Sequence, residues 1–147
     1  MGEVVLIASG KGGVGKTVLT SNLGAALASR GAAVALIDMN LGLRSLDICL
    51  GLENRIVYDL SDVLNGVCRI RQALVRDRRF EALYFIGAPQ TMKKNGVSED
   101  AMKQFGSELA PHFDYVLIDA AAGIEENLQI AAGPADRAII VTVPEFA

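Results

Sequence analysis

The stretch "VVLIASGKGGVGKTVLTSNLGAAL", Val4 to Leu27, carries a short apolar run into a helix-forming run through a turn with glycines at positions 10, 12, 13 and 15. Five apolar residues are far too few to cross a membrane and suit a buried strand. A strand that passes through a glycine turn straight into a helix is half of a βαβ unit, and the returning chain then starts a second strand parallel to the first. The order of these three pieces decides the fold class.

Similar apolar runs recur downstream as "AVALI", "YVLI" and "AIIVTV". They place strands near Val4–Ala8, Val34–Asp38, Leu83–Ile86, Tyr115–Asp119 and Ala138–Val143, and their near-continuous apolar character predicts burial on both faces, as in a parallel sheet. Between the first two strands Leu19, Leu23, Ala26 and Leu27 form an apolar stripe at helical spacing, and Gly31 stands where a C-terminal cap belongs. Ser98, followed by Glu99 and Asp100, caps a helix that runs to about Leu109 with Met102, Phe105 and Leu109 on its core face. Shorter helices are expected at Leu60–Leu64 and Glu125–Ala132, and "APQTMKKNGVS" reads as a loop. The expectation is one α/β domain over residues 1–147, in three layers, with a mainly parallel sheet and helices on both faces. The last run ends in "PEFA" with no crossover helix behind it, so either the fold continues past Ala147 or a partner covers that sheet edge.

Composition narrows the function. With 147 residues, 51 % of them apolar, and a net charge of −3, the chain has enough material for a sizeable core. It lacks the overall basic surface that nucleic-acid binding uses. "CRIRQALVRDRRF" is a local exception that concentrates Arg69, Arg71, Arg76, Arg78 and Arg79; with Asp77 among them it reads first as a solvated helix face. "MGEVVLIAS" has no basic segment ahead of its apolar run, which points to a cytoplasmic protein. Cys49 and Cys68 lack metal-ligand or redox spacing and read as small apolar residues, and His112 as a surface residue.

Gly10-x-x-x-x-Gly15-Lys16-Thr17 is a complete Walker A spacing, set after a strand and opening a helix. Such a turn presents successive backbone N–H groups to phosphate oxygens, and the helix N-terminus adds partial positive charge. Lys16 reaches the terminal phosphates and the Thr17 hydroxyl binds Mg²⁺. Asp119 closes "FDYVLID" as a Walker B carboxylate does, and Asp38 ends "AVALID" at the strand end where open α/β sheets bind ligands. Lys11 is a second lysine in the same loop. Two ammonium groups in contact repel by about 1 kcal/mol in water and by more in a drier site, so Lys11 needs its own anion. One triphosphate is a sufficient source; a loop that bulges outward at Lys11 reaches instead across a two-fold interface to a facing subunit's nucleotide.

"KGGVGKT" resembles the deviant Walker A loop of the MinD/ParA family of ATPases, and "GLRSLDICLGLENRIVYDLSDVLNGVCRIRQAL", "FDYVLIDAAAGIE" and "ADRAIIVTVPE" are similar to its division-site branch. The resemblance implies an ATPase whose ATP-bound dimer is a switch in placing the bacterial division site. It implies that Gly10, Gly12, Gly13, Val14, Gly15, Lys16, Thr17 and Val18 cradle ATP with Mg²⁺, that Lys11 contacts the partner's nucleotide, and that Asp38 to Asp47 and Asp119 to Gly123 form two switches. The implied partners are a second copy of the chain, a MinC-like division inhibitor, a MinE-like regulator and, through a C-terminal amphipathic helix, the membrane surface.

Three departures qualify what the resemblance implies. The family reads D-x-D after the second strand, where this chain has "DMN", so Asn40 occupies the position that orients the attacking water. An amide holds water but is no useful base, and hydrolysis is expected to slow. Val18 replaces the usual threonine and removes a side-chain contact to the α-phosphate. The chain ends before the family's adenine-contacting segments and membrane helix. A dimerising adaptor with little hydrolysis is therefore the second functional reading, and a ParA-like DNA-partition ATPase, resting on the arginines alone, the third.

Overall fold

The computed structural model describes residues 2–10, 15–40, 51, 57–88, 98–120, 125–142 and 144. Strand β1 (Glu3–Ala8) leads to α1 (Lys16–Ser29), β2 (Val34–Asp38), α2 (Leu60–Leu64), α3 (Ile70–Ala73), β3 (Val75–Arg76), β4 (Leu83–Ile86) and α4 (Glu99–Leu109), which runs into a 3-10 turn at Ala110–His112. β5 (Tyr115–Asp119), α5 (Glu125–Ala132) and β6 (Arg137–Ile140) follow. The described strands form one sheet in the order β3-β4-β2-β5-β1-β6, parallel throughout except where β3 meets β4. The mainly parallel three-layer expectation holds.

Period-two alternation divides each central strand between two cores. Val5, Ile7, Val34, Leu36, Leu83, Phe85 and Leu117 face α1, where Leu23, Leu27 and Ala28 meet them. Val4, Leu6, Ala35, Ile37, Val116 and Ile118 face the other way, against Leu60, Met102, Phe105, Leu109 and Ala131 of α2, α4 and α5. Helix starts follow local capping. Ser98 Oγ accepts from the Ala101 N–H at 3.1 Å, as its position predicts. Asp59 and Asp62 cap α2 reciprocally, each side chain accepting from the other's backbone N–H.

Helix α1 departs from expectation. Its buried face is Thr20, Ser21, Gly24 and Ala28, whereas Leu19 and Ala26 of the anticipated stripe are exposed and Leu23 and Leu27 are half-buried. The reason is close approach. A Cβ on Gly24 would lie 2.7 Å from Leu36 Cδ2, so the helix sits nearer the sheet than a leucine stripe allows.

The arginine-rich stretch is not a continuous helix face. It is the single turn α3, the two-residue β3 and a bend, and Asp77 within it is buried, holding the Arg79 backbone N–H at 2.7 Å. β6, expected to be buried, is exposed along its length, since among the described elements it pairs with β1 alone. It is fastened there by an Arg137–Glu3 ion pair (2.7 Å) and by the Val4 N–H donating to Asp136 Oδ2 (2.9 Å). The "APQTMKKNGVS" loop and Cys49 lie largely or wholly outside the described residues; Cys68 is half-buried and His112 exposed. Among the described residues no helix is long and apolar enough to cross a membrane.

Candidate functional site

The parallel sheet places the carboxyl ends of β1, β2 and β5 side by side, and the candidate residues gather there. Gly15, with φ near +90°, occupies the N-cap of α1 in the left-handed region that glycine adopts without strain. The first intrahelical bond runs from the Leu19 N–H to the Gly15 carbonyl at 2.9 Å. The N–H groups of Lys16, Thr17 and Val18 are thus the first-turn donors that helix geometry leaves for an external acceptor. Thr20 Oγ1 donates to the Lys16 carbonyl at 2.8 Å and steadies that turn.

Lys16 lies along the buried side of α1 and its ammonium is paired with Asp119 Oδ1. Thr17 Oγ1 donates to the other oxygen of the same carboxylate at 3.2 Å. Asp38 and Asp119 are partners in register at the ends of β2 and β5, and neither has any solvent-exposed surface. Asn40, buried two residues past Asp38, joins them: Nδ2 donates to Asp38 Oδ1 and to Asp119 Oδ2, both at 2.9 Å, and Oδ1 accepts from Lys16 Nζ at 3.4 Å. The Asn40 backbone N–H also donates to Asp38 Oδ1, at 2.8 Å.

Among the described residues one buried ammonium, two buried carboxylates and one buried amide therefore share a cluster with the half-buried Thr17 hydroxyl. The thermodynamic demand on buried charge is pairing plus hydrogen bonding, and Lys16 and Asp119 have both, while Asp38 accepts two hydrogen bonds from Asn40. Among the described residues no three His, Cys, Asp or Glu side chains gather as a metal centre. The hard oxygens present, the Thr17 hydroxyl and the two carboxylates, are the donor type that Mg²⁺ takes, as a partial set to be completed by other oxygens.

The remaining candidates divide. Gly10 is exposed beyond β1. The Val18 side chain is 55 % exposed, pointing away from the cluster, while its carbonyl accepts from Ser21 Oγ at 3.0 Å. Lys11, Gly12, Gly13, Val14, Asp47 and Gly123 lie outside the described residues. Reading residue by residue assigned Asn40 to water and missed its bridge between the carboxylates; the available signal was the D-x-N pattern, a turn in which the aspartate accepts from the backbone two residues on. A groove of about 900 Å³, lined by Ala33, Leu74, Tyr84 and Phe113 together with Arg69 and Arg71 of the arginine-rich stretch, lies toward the amino ends of β2 and β4 and contains none of the phosphate-site candidates.

Comparison with known proteins supplies the wider setting. The family model of ParA, described as NUBPL iron-transfer P-loop NTPase, matches residues 1–147. The septum site-determining protein MinD of Bacillus subtilis (strain 168) is 52 % identical over 147 residues, covering 99 % of this chain and 55 % of the relative. That of Thermotoga maritima is 51 % identical over 146 residues, covering 99 % and 54 %. Among solved structures, the MinC:MinD cell division protein complex of Aquifex aeolicus matches with a TM-score of 0.84 and 48 % identity over 94 % of this chain and 55 % of that one. MinD complexed with Mg-ADP from Pyrococcus horikoshii OT3 matches with a TM-score of 0.86 and 30 % identity, over 99 % and 59 %. The chain spans about half the length of these relatives.

Proposed function

This chain belongs to the MinD/ParA family of P-loop NTPases, and we propose that it binds and hydrolyses ATP with Mg²⁺ as an ATP-dependent dimeric switch in placement of the bacterial division site. The observation that carries the reading is the convergence of Lys16, Thr17, Asp38 and Asp119 at the N-terminus of a helix that follows directly on a strand. The Mg-ADP bound by the Pyrococcus horikoshii relative agrees with it.

The work of each residue follows from its chemistry. Lys16 exchanges the Asp119 carboxylate for phosphate oxygens, one anion for another, so its burial as a cation is compensated before and after. Thr17 and the carboxylates of Asp38 and Asp119 hold Mg²⁺. When bound, Mg²⁺ neutralises charge that develops on the transferring phosphoryl group. The first-turn N–H groups of α1 cradle phosphate oxygens, and the exposed Val18 takes part through its backbone only. Lys11 completes the nucleotide site of a facing subunit. Asn40 supplies no carboxylate to accept a proton or orient water, and the loss of such a group costs about 10²–10⁴-fold in rate. This favours a second reading, in which the ATP-bound dimer is a long-lived adaptor.

A MinC-like division inhibitor is the partner that the Aquifex aeolicus complex supports. A MinE-like regulator, and peripheral membrane association through a C-terminal amphipathic helix, rest on the family resemblance. Calorimetry with ATP and Mg²⁺ tests the core of the proposal: binding by the native protein, retained in Lys11→Ala and lost in Lys16→Ala, supports it, and binding that survives Lys16→Ala overturns it. Single-turnover hydrolysis separates the two readings. A faster Asn40→Asp variant favours the adaptor, and equal rates favour the ordinary ATPase.

A further inference from the structure

We infer that the furrow between α3 and α4 is a docking groove for an amphipathic helix of a partner protein, with acidic residues along one flank of that helix and basic residues along the other. The furrow lies at the amino ends of β2 and β4, whereas Lys16, Asp38 and Asp119 meet at the carboxyl ends of the strands.

Its shape fits a helix. The groove of about 900 Å³ is joined by a second hollow of about 160 Å³, which shares Val63, Ile70 and Glu108 with it. Ala101, Gln104, Phe105 and Glu108 line the smaller hollow, and Glu108, Leu109 and His112 the larger. These positions repeat at i, i+3 and i+4, so one face of α4 and the turn after it form a continuous wall. At 1.5 Å per residue that wall is about 16 Å long, enough to receive three turns of a second helix. The floor is apolar. Val63, Ile70, Leu74 and Tyr84 are half-buried in it, and the Tyr84 ring is set edge-on to Phe113 with centroids 5.6 Å apart. Val67, 63 % exposed, stands on the lip between Gly66 of one hollow and Cys68 of the other.

The charges on the rim choose among occupants. Arg69 and Arg71 are exposed on the α3 wall, and among the described residues neither guanidinium is paired with a carboxylate. Glu81, at the entry to β4, and Glu108, on the α4 wall, line the same groove and are also exposed. Glu108 accepts from Gln104 Nε2 at 3.1 Å, a neutral partner that leaves its charge unbalanced. A duplex or an anionic membrane drawn to the two arginines would meet both glutamates as well, which argues against a polyanion. An amphipathic helix satisfies the whole set. Its apolar residues at i, i+3, i+4 and i+7 fill the floor, its acidic flank meets Arg69 and Arg71, and its basic flank meets Glu108 and Glu81.

The test uses three fluorescein-labelled helical peptides of roughly 14 residues, read by fluorescence polarisation. All carry leucine at helical spacing on one face; the flanks are glutamate and lysine in the first, glutamate alone in the second and lysine alone in the third. The native protein is expected to bind the mixed peptide tightest. The double variant Arg69→Glu, Arg71→Glu should melt with the native protein, bind the mixed peptide about tenfold more weakly and prefer the all-lysine peptide. Bound mixed peptide should also slow alkylation of Cys68, a lining residue of the groove, as followed by mass spectrometry. No binding of the mixed peptide, equal binding of all three, or affinities unchanged in the double variant overturns the inference. So does retention of duplex DNA or phosphatidylglycerol vesicles that the double variant loses, which would assign the arginines to a polyanion. A concentration-dependent dimer that the double variant disperses would equally overturn it, by making a second copy the occupant.

Discussion

Two aspartates in this molecule are each buried and each paired with a cation, yet they are held in opposite ways. Asp77 accepts from the backbone N–H and the guanidinium of Arg79, two residues along the chain, and the arginine is 59 % exposed and also stacks over Phe80. Asp119 accepts from Lys16, which is itself buried, and from Thr17 and Asn40, all distant in sequence. The first arrangement is a turn that would form in any fold leaving room for it. The second exists only once β1, β2 and β5 are assembled. A solvated partner makes the first pair weak, while a dry partner makes the second costly to break and leaves its charges available to a ligand that replaces them.

Loss of Lys16 is the sharpest way to test that contrast. Removing one member of a buried pair typically costs about 3–5 kcal/mol, and Lys16→Ala is expected near the lower end because Thr17 and Asn40 still donate to Asp119. Urea denaturation of the nucleotide-free protein measures it. The middle of the range belongs to Asp77→Ala, which leaves the Arg79 N–H without its acceptor and is expected to cost about 1–2 kcal/mol. Arg79→Ala, which removes only the exposed partner, should cost under about 1 kcal/mol and lose even that in high salt. If Lys16→Ala and Arg79→Ala destabilise the protein equally, burial is not what separates the two pairs.

Cys68 offers the smallest effect and extends the comparison to a neutral thiol beside carboxylates. Burial pushes its thiol pKa upward, and the carboxylates of Asp62 and Asp59 push it further in the same direction. A raised pKa keeps the folded protein's thiol protonated where the unfolded chain's has begun to ionise. The resulting stabilisation is complete below the unfolded pKa and is lost as pH rises through the folded one. Alkylation of the native protein at mildly alkaline pH should accordingly be slower than that of a free thiol, and should accelerate at higher pH. A rate equal to the free thiol's would show that the site is not desolvated.

Legibility followed the range of the interactions. The cap at Ser98 and the strands Val34–Asp38, Leu83–Ile86 and Tyr115–Asp119 depend on neighbours within a few residues, and pattern alone placed them. The stretch from Arg69 to Arg79 was misread because a four-residue helix and a two-residue strand are too short to show a period, and because the burial of Asp77 depends on how β3 packs against β4. The face of α1 was misread because hydrophobicity favours leucine at a buried position, whereas a helix pressed against a sheet needs glycine, alanine and threonine there.

By itself the sequence determined the alternation of strand and helix, and therefore a parallel sheet, and it placed Lys16 and Thr17 at a helix N-terminus directly after a strand. These follow from steric and hydrogen-bonding preferences that act along the chain. Only the tertiary structure decided that the ends of β2 and β5 lie in register, so that Asp38, Asn40 and Asp119 become one hydrogen-bonded cluster with Lys16 at its edge. No local preference encodes that meeting, because Asn40 and Asp119 are 79 residues apart and are brought together by the burial of two strand faces far more than by attraction to each other.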